Sequence, residues 1–344
     1  MKLSILTATY NRAKCLEKLY ESIIQNHVEC QIQLNSEIQS NNKKDTNSIK
    51  QSKSIIENDK LKNNIIKNNN LEIEWIIIDD GSTDGTKSVV EQFISKNKII
   101  NSQNSKTNNK INNNKNNKIS NEINNNKNNE ISNEINSKID IKYFYQQNSG
   151  KMAAINKAVE YATGDLIIDC DSDDIFSKDA FNKILQNSSR LFENNQLYAL
   201  CFLKKDLAGK ISGKEFPTNY MQSTMFDLYF KHNIEGEKIL VFNSKIRKKY
   251  KHELENGEKF VTEARMYHKM DEKYKILCVN KAIEIGEYKE DGYTKNILET
   301  FKKYPNGYYK YFKEILKKDL NGVLLKKKIY VLKHFIWFWG LKNL

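Results

Sequence analysis

Apolar and polar positions along the chain fall into alternating short runs. Lys2 to Thr7 alternates as a short buried strand, and Arg12 to Asn26 then places Leu16, Leu19, Tyr20, Ile23 and Ile24 at helical spacing. The loop between them is Ala8-Thr9-Tyr10-Asn11. A second unit repeats this plan. Ile73-Glu74-Trp75-Ile76-Ile77-Ile78 predicts a buried strand, Asp79 to Thr86 a loop, and Lys87 to Lys96 a helix. A third strand is expected over Ile141 to Tyr145, a helix over Met152 to Ala162, and a fourth strand over Leu166-Ile167-Ile168, ending in acids. Strands alternating with helices imply an α/β fold whose mainly parallel, Rossmann-like sheet is flanked by helices. In such a sheet, ligands sit at the carboxyl ends of the strands.

Two polar stretches interrupt the pattern, at about 28–70 and 97–138. Both are dominated by Asn, Lys, Ser and Ile, and the second repeats Ile-Ser-Asn-Glu-Ile-Asn at 119–124 and 131–136. Such sequence buries too little apolar area to offset its ordering entropy, so both are expected to be mobile low-complexity insertions. Each lies between a helix and the next strand, at the edge opposite the motif loops. The expected organisation is a catalytic domain over 1–301, interrupted twice, followed by a basic, aromatic helical tail over 302–344.

The net charge of +13 raises nucleic acid as a partner, but its location argues otherwise. The tail carries eleven lysines against Glu314 and Asp319, and both insertions are also net basic. The remaining core is slightly acidic and shows no basic stripe with interleaved aromatics, so no nucleic-acid partner is expected. Five cysteines without a C-x-x-C pair, and an N-terminus that runs straight into a strand, point to a reduced, cytoplasmic setting. The tail segment 326–339 interleaves lysines with aromatics but holds no uninterrupted apolar run of spanning length. Two readings stay open for it: peripheral contact with the inner face of the cell membrane, or a helix packed on the domain.

The densest chemistry is Asp169-Cys170-Asp171-Ser172-Asp173-Asp174, directly after a strand. Four carboxylates in six residues cannot all be ionised there without a cation, and a hard divalent ion that also holds a diphosphate answers the need. A solvated acidic turn is the bland alternative; an EF-hand is excluded because its Gly and closing Glu are missing. At Asp80-Gly81-Ser82-Thr83-Asp84 a strand end supplies a carboxylate that can accept hydrogen bonds from a base or ribose, or else a plain turn and helix cap. Neither G-x-G-x-x-G nor a Walker sequence occurs.

Together the Thr9-Tyr10-Asn11-Arg12 loop, Glu74 to Asp84, Asn148-Ser149-Gly150-Lys151 with Ala154-Ile155-Asn156, and Gly164-Asp165 leading to Asp171-Ser172-Asp173-Asp174 resemble the family 2 glycosyltransferases, which have the GT-A fold. The resemblance implies that Thr9, Tyr10 and Asp80 hold the nucleoside of a nucleotide-sugar donor and that Lys151 lies near its diphosphate. Asp171 and Asp173 become the metal-binding D-x-D, with Asp171 also facing the donor. Asp169 departs from the family, which has an apolar residue there. The resemblance further implies inversion, a carboxylate base, Mn2+ or Mg2+, a UDP-sugar, and a glycan or lipid-linked acceptor. Gly257 to Arg265 resembles the acceptor-side region, making Glu263 the candidate base, with Glu258 and Asp271 as substitutes. Tyr288-Lys289-Glu290-Asp291-Gly292 resembles a further family stretch. Three histidines, His232, His252 and His268, lack metal-ligand spacing and are expected to be structural or surface residues. The rival readings are a sugar nucleotidyltransferase, which would want a Gly-rich basic N-terminal loop, and a non-catalytic nucleotide-sugar or glycan-binding protein, which would have lost the base or the metal pair.

Overall fold

A computed structural model of the chain describes residues 1–45, 71–98, 139–255, 257–286 and 297–343. The core is one nine-stranded mixed sheet flanked by helices. Its first half is the expected one. β1 (Lys2–Thr9) leads to α1 (Ala13–Asp45), β2 (Glu72–Asp79) to α2 (86–98), and β3 (Ile139–Tyr145) to α3 (Lys151–Tyr161). β4 (Leu166–Asp169) completes a parallel set in the order β3-β2-β1-β4. These strands are apolar on both faces because helices cover both sides: Ile5, Trp75, Ile77 and Ile168 lie in one core, Leu6, Ile76, Ile78 and Ile167 in the other. Trp75 packs with Tyr20 of α1 and Phe93 of α2 at 6.3 and 6.0 Å between ring centres.

The second half is not parallel throughout. After β5 (Ile175–Phe176) and α4 (Ala180–Glu193) come β6 (Leu197–Lys205), β7 (Gln222–Ser223), α5 (Met225–Phe230), β8 (Lys238–Asn243) and α6 (Ser244–Arg247). α7 (Glu263–Met270) and β9 (Lys275–Ile285) follow. β8 inserts antiparallel between β4 and β6, with Val241 opposite both Ile168 and Leu200. β6 then pairs β9 in parallel, and β5 and β7 pair β9 antiparallel.

Where an insertion was expected from residue 28, α1 instead continues as helix to Asp45. Cys30 and Gln31 are buried, and the side chains of His27 and Gln31 both bond the Leu71 carbonyl at the entrance to β2. These anchors outweigh the low apolar content. A matching clasp joins the Asn97 amide at the end of α2 to the Ile139 carbonyl at the start of β3. The rest of both expected insertions, 46–70 and 99–138, lies outside the described residues, as does 288–292.

Beyond the sheet are α8 (Ile297–Lys303), α9 (Pro305–Ile315) and α10 (Leu325–Lys342). α9 is fastened to the α7 region by Arg265, whose guanidinium donates to Glu314 at 2.9–3.1 Å, and by Glu258, which accepts from the Asn306 and Gly307 amides at 2.7 and 2.8 Å. α10 packs through Val331 and Phe338 onto Tyr308 and Phe312. Among the described residues no helix is long and apolar enough to cross a membrane.

Candidate active site

The strand order reverses between β1 and β4, where β1 connects onward to β2 on one side and β4 lies on the other. Crevices at such a switch point are where open α/β sheets bind ligands. The carboxyl ends of these strands open into a cavity of about 1800 Å³, whose lining includes Thr9, Tyr10, Asp80, Lys151, Asp171, Asp173 and Glu263. All seven residues singled out in the sequence therefore meet in one place.

Thr9 is buried at the end of β1 with its hydroxyl unpartnered, and Tyr10 beside it is half exposed. Asn11 turns the chain at φ +52° and accepts from the Thr83 amide at 2.8 Å, while Ser82 Oγ accepts from the Asn11 amide at 2.9 Å. The first two motif loops are thereby stitched together. Asp80 is nearly buried, and its carboxylate receives Gln146 Nε2 at 2.7 Å and the Ser149 and Gly150 amides at 2.8 Å. It organises the 146–150 loop as well as facing the cavity. Gly150 is required there because its φ is +96° and a side chain would run into the Lys259 carbonyl.

That loop delivers Lys151 as the first residue of α3. Its ammonium lies 2.7 Å from Asp171 Oδ1 and 3.1 Å from Glu263 Oε1, joining the acid cluster to the start of α7. Glu263 also accepts from the Tyr267 hydroxyl at 3.0 Å. Lys151 above all, against the opposing effect of burial, holds the Glu263 carboxyl down to about 2. The two substitutes do not share this setting. Glu258 caps α9, and Asp271 accepts from the Met225 and Phe226 amides at the start of α5, at 3.1 and 2.9 Å.

The acid cluster divides in two. Asp171 and Asp173 are partly exposed to the cavity, whereas Asp174 turns inward and pairs with Lys204 at 2.7 Å. Asp169 and Glu284 of β9 complete a carboxylate floor; sequence reasoning missed Glu284, because β9 reaches the site only through long-range pairing. Burial pushes Asp169 up to about 6, Asp171 and Glu263 adding to this while Arg247 and Lys151 oppose it. Burial and neighbouring carboxylates likewise raise Asp174 and Glu284. Asp169 Oδ1 and Glu284 Oε1 are buried without hydrogen-bond partners. The floor thus holds more acid than Lys151, Lys204 and Arg247 neutralise, which fits a divalent cation. Among the described residues no group of three or more His, Cys, Asp or Glu side chains could hold an ion. A two-carboxylate site completed by a ligand's phosphates suits a hard cation of this kind.

This sheet, with its cavity at the switch point, is a GT-A architecture. The family model described as Glycosyl transferase family 2 matches residues 59–121 and 123–195, which carry Asp80, Lys151, Asp171 and Asp173 but not Thr9, Tyr10 or Glu263. That match covers less than half of the chain, and over those residues the chain is similar to the family 2 glycosyltransferases. Solved structures with similar folds include S. aureus TarS, at 15% identity and TM-score 0.50, covering 98% of this chain and 43% of that one. The TarS 1–349 complex with UDP-GlcNAc is 16% identical at TM-score 0.49, covering 98% and 72%. The mannosyltransferase PcManGT from Pyrobaculum calidifontis, in complex with GDP-Man and Mn2+, is 14% identical at TM-score 0.45, covering 92% and 64%. This chain spans less than half the length of the first of these TarS chains. No curated protein sequence matches it.

Proposed function

We propose that the chain transfers a hexose or N-acetylhexosamine from a UDP-sugar to a hydroxyl of a surface glycan, free or lipid-linked, with inversion and with Mn2+ or Mg2+. The observation that carries this reading is the Lys151 ammonium held between Asp171 and Glu263. It puts a cation for a diphosphate and a carboxylate for an acceptor hydroxyl at one point of the cavity.

Thr9, Tyr10 and Asp80 form the nucleoside side. Thr9 offers an unpaired hydroxyl, Tyr10 an exposed ring, and Asp80 a carboxylate oxygen with remaining acceptor capacity. Asp171 and Asp173 would hold the metal, which supplies charge stabilisation to the departing diphosphate. Lys151 faces the same diphosphate and shares its charge. Glu263 accepts the proton of the acceptor hydroxyl as that oxygen attacks the anomeric carbon from the face opposite the leaving group. In this arrangement the catalytic domain is 1–301 and the tail 302–344, and the enzyme works in the cytoplasm on acceptors of cell-surface polysaccharide synthesis.

Calorimetric titration of UDP with and without Mn2+, on wild type and Asp173→Ala, tests the reading. Metal-dependent binding lost in the variant is expected. A folded wild-type protein that does not bind UDP sinks the UDP assignment.

A further inference from the structure

Seven of the large hydrophobic side chains left exposed by the fold, Leu324, Leu325, Ile329, Tyr330, Leu332, Ile336 and Trp339, fall within α10 and the residue before it. Five of them, Leu325, Ile329, Leu332, Ile336 and Trp339, follow one another at intervals of four, three, four and three residues. That spacing places them on one face as a continuous stripe about 21 Å long. The opposite face is already used, by Val331 and Phe338 packed on α9. An exposed apolar stripe of this length marks an interaction surface.

Charge decides what covers it. At 100° per residue, Lys326 and Lys333 flank the stripe on one side and Lys328 on the other, Lys342 lies over the Tyr309 ring of α9 at 4.8 Å, and α10 has no Asp or Glu at all. A second copy seated on the stripe would bring lysines against lysines with no acid to answer them, the arrangement that flanking charges use to forbid pairing. An anionic bilayer surface meets both needs at once, taking the apolar residues among its acyl chains and the ammonium groups at its headgroups. Lys327, which points the other way, is occupied by the Tyr229 carbonyl and does not contribute.

We propose that α10 docks the enzyme onto an anionic lipid bilayer through its Leu325–Trp339 stripe, lying in the interface without spanning it. Lys303 and Tyr304 line the active-site cavity and directly precede α9, on which α10 packs, so the docking helix lies one helix away from the cavity wall. The surface does not depend on the donor chemistry, and its test needs no transfer activity.

Flotation of the full chain with phosphatidylcholine vesicles, with and without phosphatidylglycerol, gives the test. Wild type should float only with the anionic vesicles. Ile336→Asp combined with Trp339→Ser, and separately Lys328→Glu combined with Lys333→Glu, should each lower partitioning about ten-fold or more while leaving circular dichroism and melting unchanged. Equal flotation of wild type and the apolar double variant overturns the proposal, as does a folded wild type that stays with the soluble fraction. Self-association that Ile336→Asp disperses, without vesicle binding, assigns the stripe to a second copy instead and overturns it equally.

Discussion

Lys151 and Glu263, 112 residues apart in sequence, meet at 3.1 Å, and the lysine is the main reason the Glu263 carboxyl sits near 2, below its ordinary 4.5. Replacing Lys151 by Met should therefore let that carboxyl rise and move the acid limb of the pH–rate profile to higher pH. The same change removes a charge-assisted contact, so UDP affinity should fall about 10- to 100-fold. An acid limb that stays in place would show that another group governs it.

Glu263 and Glu258 are five residues apart and should behave as different kinds of residue. Glu263→Gln keeps the shape of the cavity and removes the base, so kcat should drop about 100- to 10,000-fold with UDP binding retained. Glu258→Gln weakens the cap on α9 and should cost about 1 kcal/mol of stability with kcat little changed. Steady-state kinetics beside denaturant melts separate the two; the reverse pattern moves the base to Glu258.

Glu74 makes the fold sensitive to acid. Its side chain is fully buried on β2; burial alone would raise its carboxyl, but Ser4, the Thr163 amide and Lys142 outweigh that and hold it at about 2. A carboxyl lowered by folding gives stability that is complete above the unfolded value near 4.5 and is lost as pH falls through about 2. The contribution is on the order of 3 kcal/mol, and Glu74→Gln should flatten that part of the stability–pH curve. Urea melts between about pH 7 and pH 3 would refute this if variant and wild type lost stability in parallel.

Gly150→Ala should strain a backbone at φ +96° and push against the Lys259 carbonyl, costing about 1–3 kcal/mol. Because the Gly150 amide also donates to Asp80, nucleotide binding should weaken along with stability. Retained affinity in a destabilised variant would mean that the 146–150 loop does not shape the nucleoside side.

The parallel half of the sheet was legible because each of its strands carries its own apolar run and ends in a polar loop, and the same loops bring Thr9, Asp80, Lys151 and Asp171 together. What lay beyond reach depends on pairing between distant segments. Nothing local to Lys238–Asn243 says that it enters antiparallel beside β4, and nothing near Glu284 says that it will stand under Asp174. The departure at Asp169 was visible as an oddity; its explanation, burial beside Arg247 at 3.9 Å, required the fold. The extension of α1 was hidden because three residues, His27, Cys30 and Gln31, anchor it amid polar sequence.

The two clasps, from His27 and Gln31 to Leu71 and from Asn97 to Ile139, close each helix onto the next strand before the intervening sequence is counted. The β1–β2 and β2–β3 ladders set the strand positions, and these short bonds hold the strand entrances to the helices that precede them. Changes in the length of sequence between the clasped ends should therefore leave the sheet and its cavity in place.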